Sequence, residues 1–183
     1  MASLVDRMIK AAKLDVQTYE EVEADQTATG QAMTVVVISS IAAGIGSIGM
    51  LGLGGIVSIT IGALIGWFIW AGVTYLIGTK LLPEPQTKAD MGELLRTIGF
   101  SASPGVLRIF GIIPVIGMLV SFAASIWMLV AMVIAVRQAL DYKSTGRAVG
   151  VCIIGFVIQW IVLSIIMFMF GAGAAITGGS SMF

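Results

Sequence analysis

The chain has 183 residues, of which 58% are hydrophobic and only 11% are charged, and its ten basic and ten acidic residues cancel. A soluble globular domain carries about 25% charged residues, so the composition excludes that class. The zero net charge predicts no nucleic-acid partner. The chain also has no histidine, the commonest metal ligand and general base, so we expect no metal, no other cofactor and no enzymatic activity.

The first 30 residues are polar and form a predicted cytoplasmic segment ahead of a membrane domain at 31–183. Residues 4–16 place apolar side chains on one helical face and charged side chains on the other, which predicts an amphipathic helix. Such a helix lies either on the membrane surface, basic face toward the headgroups, or across the ends of the spans. The pattern does not separate these two placements.

Three long stretches contain no charged residue at all, namely 26–79, 109–136 and 148–183. Uncharged apolar stretches of about 18 residues or more are typical of transmembrane helices. A cluster of glycines between Gly49 and Gly55 predicts a tight turn that divides the first stretch in two. We therefore predict an all-α integral membrane protein, a bundle of five transmembrane helices at residues 31–51, 56–77, 92–110, 112–136 and 148–170.

The third of these spans has a break near its middle. Pro104 lacks the N–H that would bond the carbonyl of Phe100, so the helix should kink there, and Ser101 or Ser103 should satisfy the freed carbonyl. Gln159 is a second polar group at membrane depth, at the centre of the fifth span. In a structural interpretation, Pro104 kinks the helix and Gln159 makes an interhelical hydrogen bond. In a functional interpretation, both belong to a transport path.

The basic residues orient the predicted spans. If residues 92–110 cross the membrane, every basic residue except Arg108 lies on the side of the N-terminus, and all ten acidic residues lie there as well. The positive-inside rule then favours five spans, a cytoplasmic N-terminus and an external C-terminus.

The charged cytoplasmic side supplies the candidate interaction residues. Those that we expect to bind a partner are Tyr19, Glu20, Glu21, Glu23, Asp25, Asp141, Lys143 and Arg147. Arg96, about one turn inside the third span, either snorkels to the interface or pairs with Glu21, Glu23 or Asp141. Ser58, Gly62 and Gly66 follow the spacing of closely packed membrane helices, within one protomer or in a homo-oligomer.

Several short motifs, taken in order, resemble the prokaryotic Yip (Rab/Ypt-interacting protein) domain family of five-span membrane proteins. They are the acidic stretch 19–25 with 28–32, the stretch 94–105 with Ile113-Pro114 and Gly117, and the loop motifs 137–139 and 144–148. The resemblance implies a five-span bundle with a cytosolic N-terminus, and it implies that the membrane is a prokaryotic cytoplasmic membrane. Eukaryotic members bind prenylated Rab-type GTPases in vesicle traffic, so a small GTPase partner is implied by the resemblance alone. The Asp-Leu-Tyr-Gly-Pro signature of those members is absent from this sequence.

Two functions remain open on the sequence. The first is a membrane-embedded interaction or organising protein that binds partners, or itself, through its cytoplasmic face, in membrane organisation or trafficking. The alternative is a small oligomeric permease or channel with a path near the broken third span. The lipid bilayer is a partner in both, and both allow a homo-oligomer.

Overall fold

A computed structural model describes residues 3–178, and within them it is helical with no β-strand. The α-helices are α1 (Leu4–Ala12), α2 (Val16–Ala24), α3 (Thr29–Gly46), α4 (Ile48–Leu76), α5 (Met91–Ser101), α6 (Ile116–Ala139) and α7 (Thr145–Gly178). A 3-10 turn, Gln26–Ala28, precedes α3, a π-helical turn, Ile77–Leu81, extends α4, and a 3-10 segment, Ser103–Ile112, follows α5. The all-α membrane bundle predicted from the sequence is confirmed.

The first long uncharged stretch folds back on itself as predicted, but the reversal begins earlier. α3 ends at Gly46 rather than Leu51, and α4 contains Gly52 at φ 63°, a conformation that glycine adopts without strain. Gly44 packs directly on Ile56, where an added Cβ would come within 2.7 Å of the Ile56 Cα. The glycines therefore let α3 and the main part of α4 pack closely as an antiparallel hairpin.

The third predicted span is interrupted at the predicted place. α5 ends at Ser101, and the chain continues as the 3-10 segment with Pro104 in its first turn. The hydroxyl of Ser103 donates to the carbonyl of Phe100 at 2.7 Å, which confirms the predicted role of a serine at the break. Neither half is long enough to count as a membrane helix alone. Within residues 3–178, four helices are long and apolar enough to cross a membrane, by length and composition.

Helix α5 and the 3-10 segment together run parallel to α3, from near its start to its end. Gly99 lies against Ala32 near the start of α3, the hydroxyl of Ser39 donates to the carbonyl of Ala102 at 2.7 Å, and Gly111 lies against Gly46 at the end of α3. Helix α4 is antiparallel to both, and α6 and α7 continue the alternation of direction.

Helices α1 and α2 cover one end of the bundle, which we call the charged end. It also contains the loops 82–90 and 140–144 that join α4 to α5 and α6 to α7. The amphipathic helix predicted over residues 4–16 ends earlier, because α1 stops at Ala12 and Leu14 at φ 64° separates it from α2. Its apolar face is divided: Leu4 and Met8 pack on the bundle, whereas Val5 and Ile9 are 62% and 51% exposed. Helix α1 therefore lies across the end of the bundle and leaves part of its apolar face exposed.

Candidate functional site

Two buried arginines attach the N-terminal helices to the bundle. Arg96, on α5, donates from Nε to the carbonyl oxygens of Val22 and Glu23, both at 3.0 Å, and from Nη2 to the latter. These carbonyls end α2, where helical carbonyls lack partners and a cation is favourable. Arg96 is therefore buried and does not snorkel to the membrane interface. It binds the backbone of Glu23, whereas the sequence suggested that it pairs with a carboxylate.

Arg7 attaches α1, although the sequence placed it on the face toward lipid headgroups. Its side chain is 3% exposed, and its guanidinium contacts the carboxylates of Glu21 at 2.7 Å and Asp25 at 2.8 Å. It also donates to the side-chain oxygen of Gln31 at 2.9 Å. The hydrogen bonds from the Thr27 side chain and from Arg7 lower the pKa of Asp25. Glu21 and Asp25 are thus committed to an internal ion pair.

Four carboxylates converge in a cavity at the charged end, which we call the acidic pocket. It has a volume of about 440 Å³ and lies between α2, α5, the end of α6 and the loop after it. Its lining residues are Glu20, Glu23, Ala24, Glu93, Arg137, Gln138, Asp141 and Tyr142. The acidic pocket therefore brings three predicted partner-binding residues together, since Asp141, distant in the sequence, joins Glu20 and Glu23 of α2.

The carboxyl group of Glu23 shows the electrostatic character of this pocket. Burial and the nearby charges of Asp141, Glu93 and Glu20 raise its pKa to about 8, against the opposing effect of Arg96. Near neutral pH the Glu23 carboxyl therefore holds a proton that an ordinary carboxyl would have lost. A positively charged group entering the pocket would favour the ionised form, so cation binding there is coupled to proton release.

Comparison with protein families gives one match, the Yip1 domain, over residues 16–167. The chain belongs to the Yip1 domain family. The match begins at the first residue of α2 and ends within α7, so it contains all the residues of the acidic pocket and the segments from α2 to α6, but not α1. The comparisons with curated proteins and with solved structures gave no match.

The two loops of the charged end are joined beside the acidic pocket of the Yip1 domain. Glu84 pairs with Arg147 at 3.4 Å and accepts from the backbone N–H of Lys143 at 3.1 Å. That N–H, the Gln86 side chain and Arg147 lower the pKa of Glu84. Gln86 also donates to the carbonyl of Asp141 at 3.0 Å. We call this set of contacts, made by Glu84, Gln86, Lys143 and Arg147, the loop clamp, because it holds Asp141 in place. Lys143 and Arg147 do not line the pocket.

Tyr19 belongs to the core rather than to the surface that the sequence predicted. It is completely buried, and its hydroxyl donates to the carbonyl of Ala11 at 3.1 Å. It joins Val22, Phe100 and Ala135 in a cluster between α2 and the bundle. The apolar ring explains the placement, because Tyr19 shares the bundle-facing side of α2 with Val22.

The polar residues predicted at membrane depth fall into two groups. Ser101 and Ser103 donate to carbonyls three residues before them, both at 2.7 Å, and stabilise the break at Pro104. Gln159 makes no hydrogen bond to another described residue. It lines a cavity of about 320 Å³ in the middle of the bundle, which we call the inner cavity, together with Ser39, Gly66, Trp70, Arg108 and Met128.

Two residues of the charged end were missed by the sequence interpretation. Glu93 lines the acidic pocket, and a signal for it exists in Asp90-x-x-Glu93, which the structure shows as a capping box at the start of α5. Arg7 gave no such signal, because helical periodicity places it on a polar face and cannot show that Glu21, Asp25 and Gln31 cover that face.

Proposed function

We propose that this Yip1 domain protein is a non-enzymatic, membrane-embedded interaction protein whose acidic pocket receives a basic segment of a partner at the cytosolic surface. The single observation that carries the proposal is that the carboxyl groups of Glu20, Glu23, Glu93 and Asp141 line one pocket. Burial, together with repulsion from the other three carboxylates, raises the pKa of Glu23. An incoming cation relieves that repulsion, which makes the pocket a complement for lysine or arginine.

The pocket is built as a rigid surface. Arg96 and Arg7 fix α2 and α1, and the loop clamp fixes the segment that carries Asp141. Because these groups are held before a partner arrives, little side-chain or loop ordering opposes binding. A small GTPase partner rests on the family resemblance alone, whereas a basic binding segment follows from the charge of the pocket.

The proposal places the charged end in the cytosol, with five crossings of the membrane. Its support is the course of α5 and the 3-10 segment, which run beside α3 from Ala32 to Gly46. If α3 crosses, its parallel neighbour of matching length crosses in the same direction. The positive-inside rule then assigns the end with all basic residues but Arg108 to the cytosol.

A photo-cross-linking amino acid at Ala24, which lines the pocket, tests this function in native membranes. We expect an adduct with a protein partner that is lost in the double variant Glu20→Gln/Glu93→Gln. Asp6→Asn is the matched control, because Asp6 is a carboxylate of the same end that pairs with Lys10 away from the pocket. Adducts only between copies of this chain, or a partner adduct unaffected by the double variant, would contradict the proposal.

Self-association is a separate part of the same function and would use the outer surface of α4. Ser58 and Gly62 are exposed there, and an added Cβ at Gly62 would meet no atom within 4 Å. Small residues on a lipid-facing surface allow close approach of a second helix. Replacing Gly62 with Leu should therefore lower the proportion of cross-linked dimers without affecting the Ala24 adduct.

A permease is the second candidate, because Gln159 and the broken third segment meet at the inner cavity. The structure supports it less, since Trp67 and Trp70 line the cavity on its side nearer the charged end. Their indole N–H groups are fixed on the carbonyl of Leu95 and the sulfur of Met132. Solute flux in proteoliposomes that is lost on replacing Pro104 or Gln159 would favour the permease instead.

A further inference from the structure

Arg108 is the one basic residue that lies away from the charged end, and it lies where two cavities meet. It lines the inner cavity and also a second cavity of about 540 Å³, which we call the outer cavity. The outer cavity lies toward the opposite end of the bundle, and its lining includes Ser47, Met50, Pro114, Met118 and Phe122. The Arg108 side chain thus lies between the inner cavity and the outer cavity.

No acidic side chain lies near Arg108. All ten acidic residues fall within 6–25, 84–93 and at Asp141, segments that form the charged end. The four ion pairs found among residues 3–178 do not include Arg108. Ionisable side chains at membrane depth normally face a partner or a cavity, so Arg108 is placed to receive an anionic ligand from the cavities that it lines.

The guanidinium has donors to spare. It carries five N–H donors, and the structure shows one side-chain hydrogen bond from it, from Nη2 to the hydroxyl of Ser125 at 2.8 Å. The hydroxyls around the cavity are already used as donors, since Ser39 and Ser101 each donate to a backbone carbonyl. Arg108, with the amide of Gln159, therefore supplies the donating groups that remain for a ligand.

The backbone holds Arg108 in a fixed position. An added Cβ at Gly46 would come within 2.0 Å of the carbonyl oxygen of Arg108, and Gly111 packs directly on Gly46. Gly117, in the first turn of α6, packs on Gly111 from the other side. Three glycines thus bring α3, the 3-10 segment and α6 together behind Arg108, so that its side chain is presented to the cavities from a closely packed support.

We propose that Arg108 binds the phosphate of an anionic membrane phospholipid whose acyl chain occupies the inner cavity. Arginine is well suited to phosphate, which it contacts with two parallel hydrogen bonds. The inner cavity is suited to an acyl chain, because its walls include Ile59, Ala63, Met128 and Phe156 and its volume is that of a small-ligand site. The outer cavity receives the rest of the headgroup on the side of the far membrane surface.

This site is independent of the acidic pocket, because the two share no residue and lie in different parts of the bundle. A failure to bind lipid at Arg108 would therefore not contradict the protein partner proposed above, and loss of that partner would not contradict lipid binding. The Ala24 cross-link should remain when the lipid site is removed.

Native mass spectrometry of the delipidated full chain in detergent tests the proposal, with phosphatidylglycerol and phosphatidylcholine as the added lipids. We expect the wild-type chain to prefer the anionic lipid. Arg108→Gln should lower that preference about tenfold, since hydrogen bonds to charged groups are removed. Lys80→Gln is the matched control, because Lys80 is an exposed cation of the charged end, and it should keep the preference. Equal preference in wild type and Arg108→Gln, both folded, would overturn the proposal.

A second variant keeps Arg108 in place and removes the room for an acyl chain. Ala63 lines the inner cavity, so Ala63→Leu should exclude the lipid even if Arg108→Gln does not fold. Glycerol phosphate and inorganic phosphate serve as competitors without an acyl chain, and neither should displace the bound lipid at equal concentration. Displacement by either, or unchanged lipid binding by Ala63→Leu, would overturn the assignment to a membrane lipid.

Discussion

Arg7 and Arg96 show how single side chains build the charged end. Both guanidinium groups are almost fully buried, at 3% and 5% exposure, and both are used for attachment rather than for contact with a partner or lipid. Their hydrogen bonds reach α2 from opposite sides, Arg7 from α1 and Arg96 from α5. Because α2 carries Glu20 and Glu23, these two arginines position half of the acidic pocket.

Replacing Arg96 with Leu should lower the free energy of unfolding by about 2 to 3 kcal/mol, because the carbonyls of Val22 and Glu23 then lose charged donors inside the protein. Lys88→Leu changes an exposed cation of the same end and should have little effect. Thermal unfolding of both variants in detergent measures the difference. Equal stability of Arg96→Leu and wild type would show that Arg96 does not attach α2.

Glu23 should make stability depend on pH. Its pKa rises from an ordinary 4.5 to about 8 on folding, so its contribution to stability is complete below pH 4.5 and is lost as pH rises through 8. Glu23→Gln should flatten the fall of the unfolding temperature across this range, whereas Asp6→Asn should leave it unchanged. Identical pH profiles for Glu23→Gln and wild type would contradict the raised pKa.

At the scale of the element, α3 and α5 are joined by a contact that only glycine permits. An added Cβ at Gly99 would come within 2.7 Å of the Ala32 Cβ, closer than real side chains approach. The parallel course of α5 beside α3 depends on this contact, and so does the argument that the broken third segment crosses the membrane.

Gly99→Ala should therefore destabilise the protein by about 1 to 3 kcal/mol, because α3 and α5 must separate. Gly62→Ala is the matched control, since Gly62 also lies within a helix but an added methyl there meets open space. Its effect should be small or stabilising, as alanine favours the helix. Chemical unfolding of the two variants in detergent separates these results, and equal destabilisation would contradict the close contact.

Hydropathy predicted the long elements well, because the absence of charge is a property of the sequence itself. The break at Pro104 was predicted for the same kind of reason, since proline removes a specific donor and Ser103 supplies a specific replacement. The end of α3 at Gly46 was not predicted. It depends on how closely α3 and α4 pack, which no local pattern records.

At the scale of the whole molecule, charge and polarity are separated along the bundle. The acidic pocket, the loop clamp and both buried arginines lie at one end, and Arg108 alone lies toward the other. Charge counting predicted this division. It did not predict which carboxylates meet, because Glu20, Glu93 and Asp141 become neighbours only when α2, α5 and the loop after α6 are packed.

Labelling of single cysteines in intact cells tests most directly the claim that five crossings place the acidic pocket in the cytosol. After Cys152→Ala, which removes the one native thiol, cysteines are placed at the exposed residues Lys88, Ser144, Met50 and Val115. An impermeant thiol reagent should label Met50→Cys and Val115→Cys from outside, whereas Lys88→Cys and Ser144→Cys should react only once the membrane is permeabilised. Labelling of Val115→Cys only after permeabilisation, or of Ser144→Cys from outside, would contradict the account.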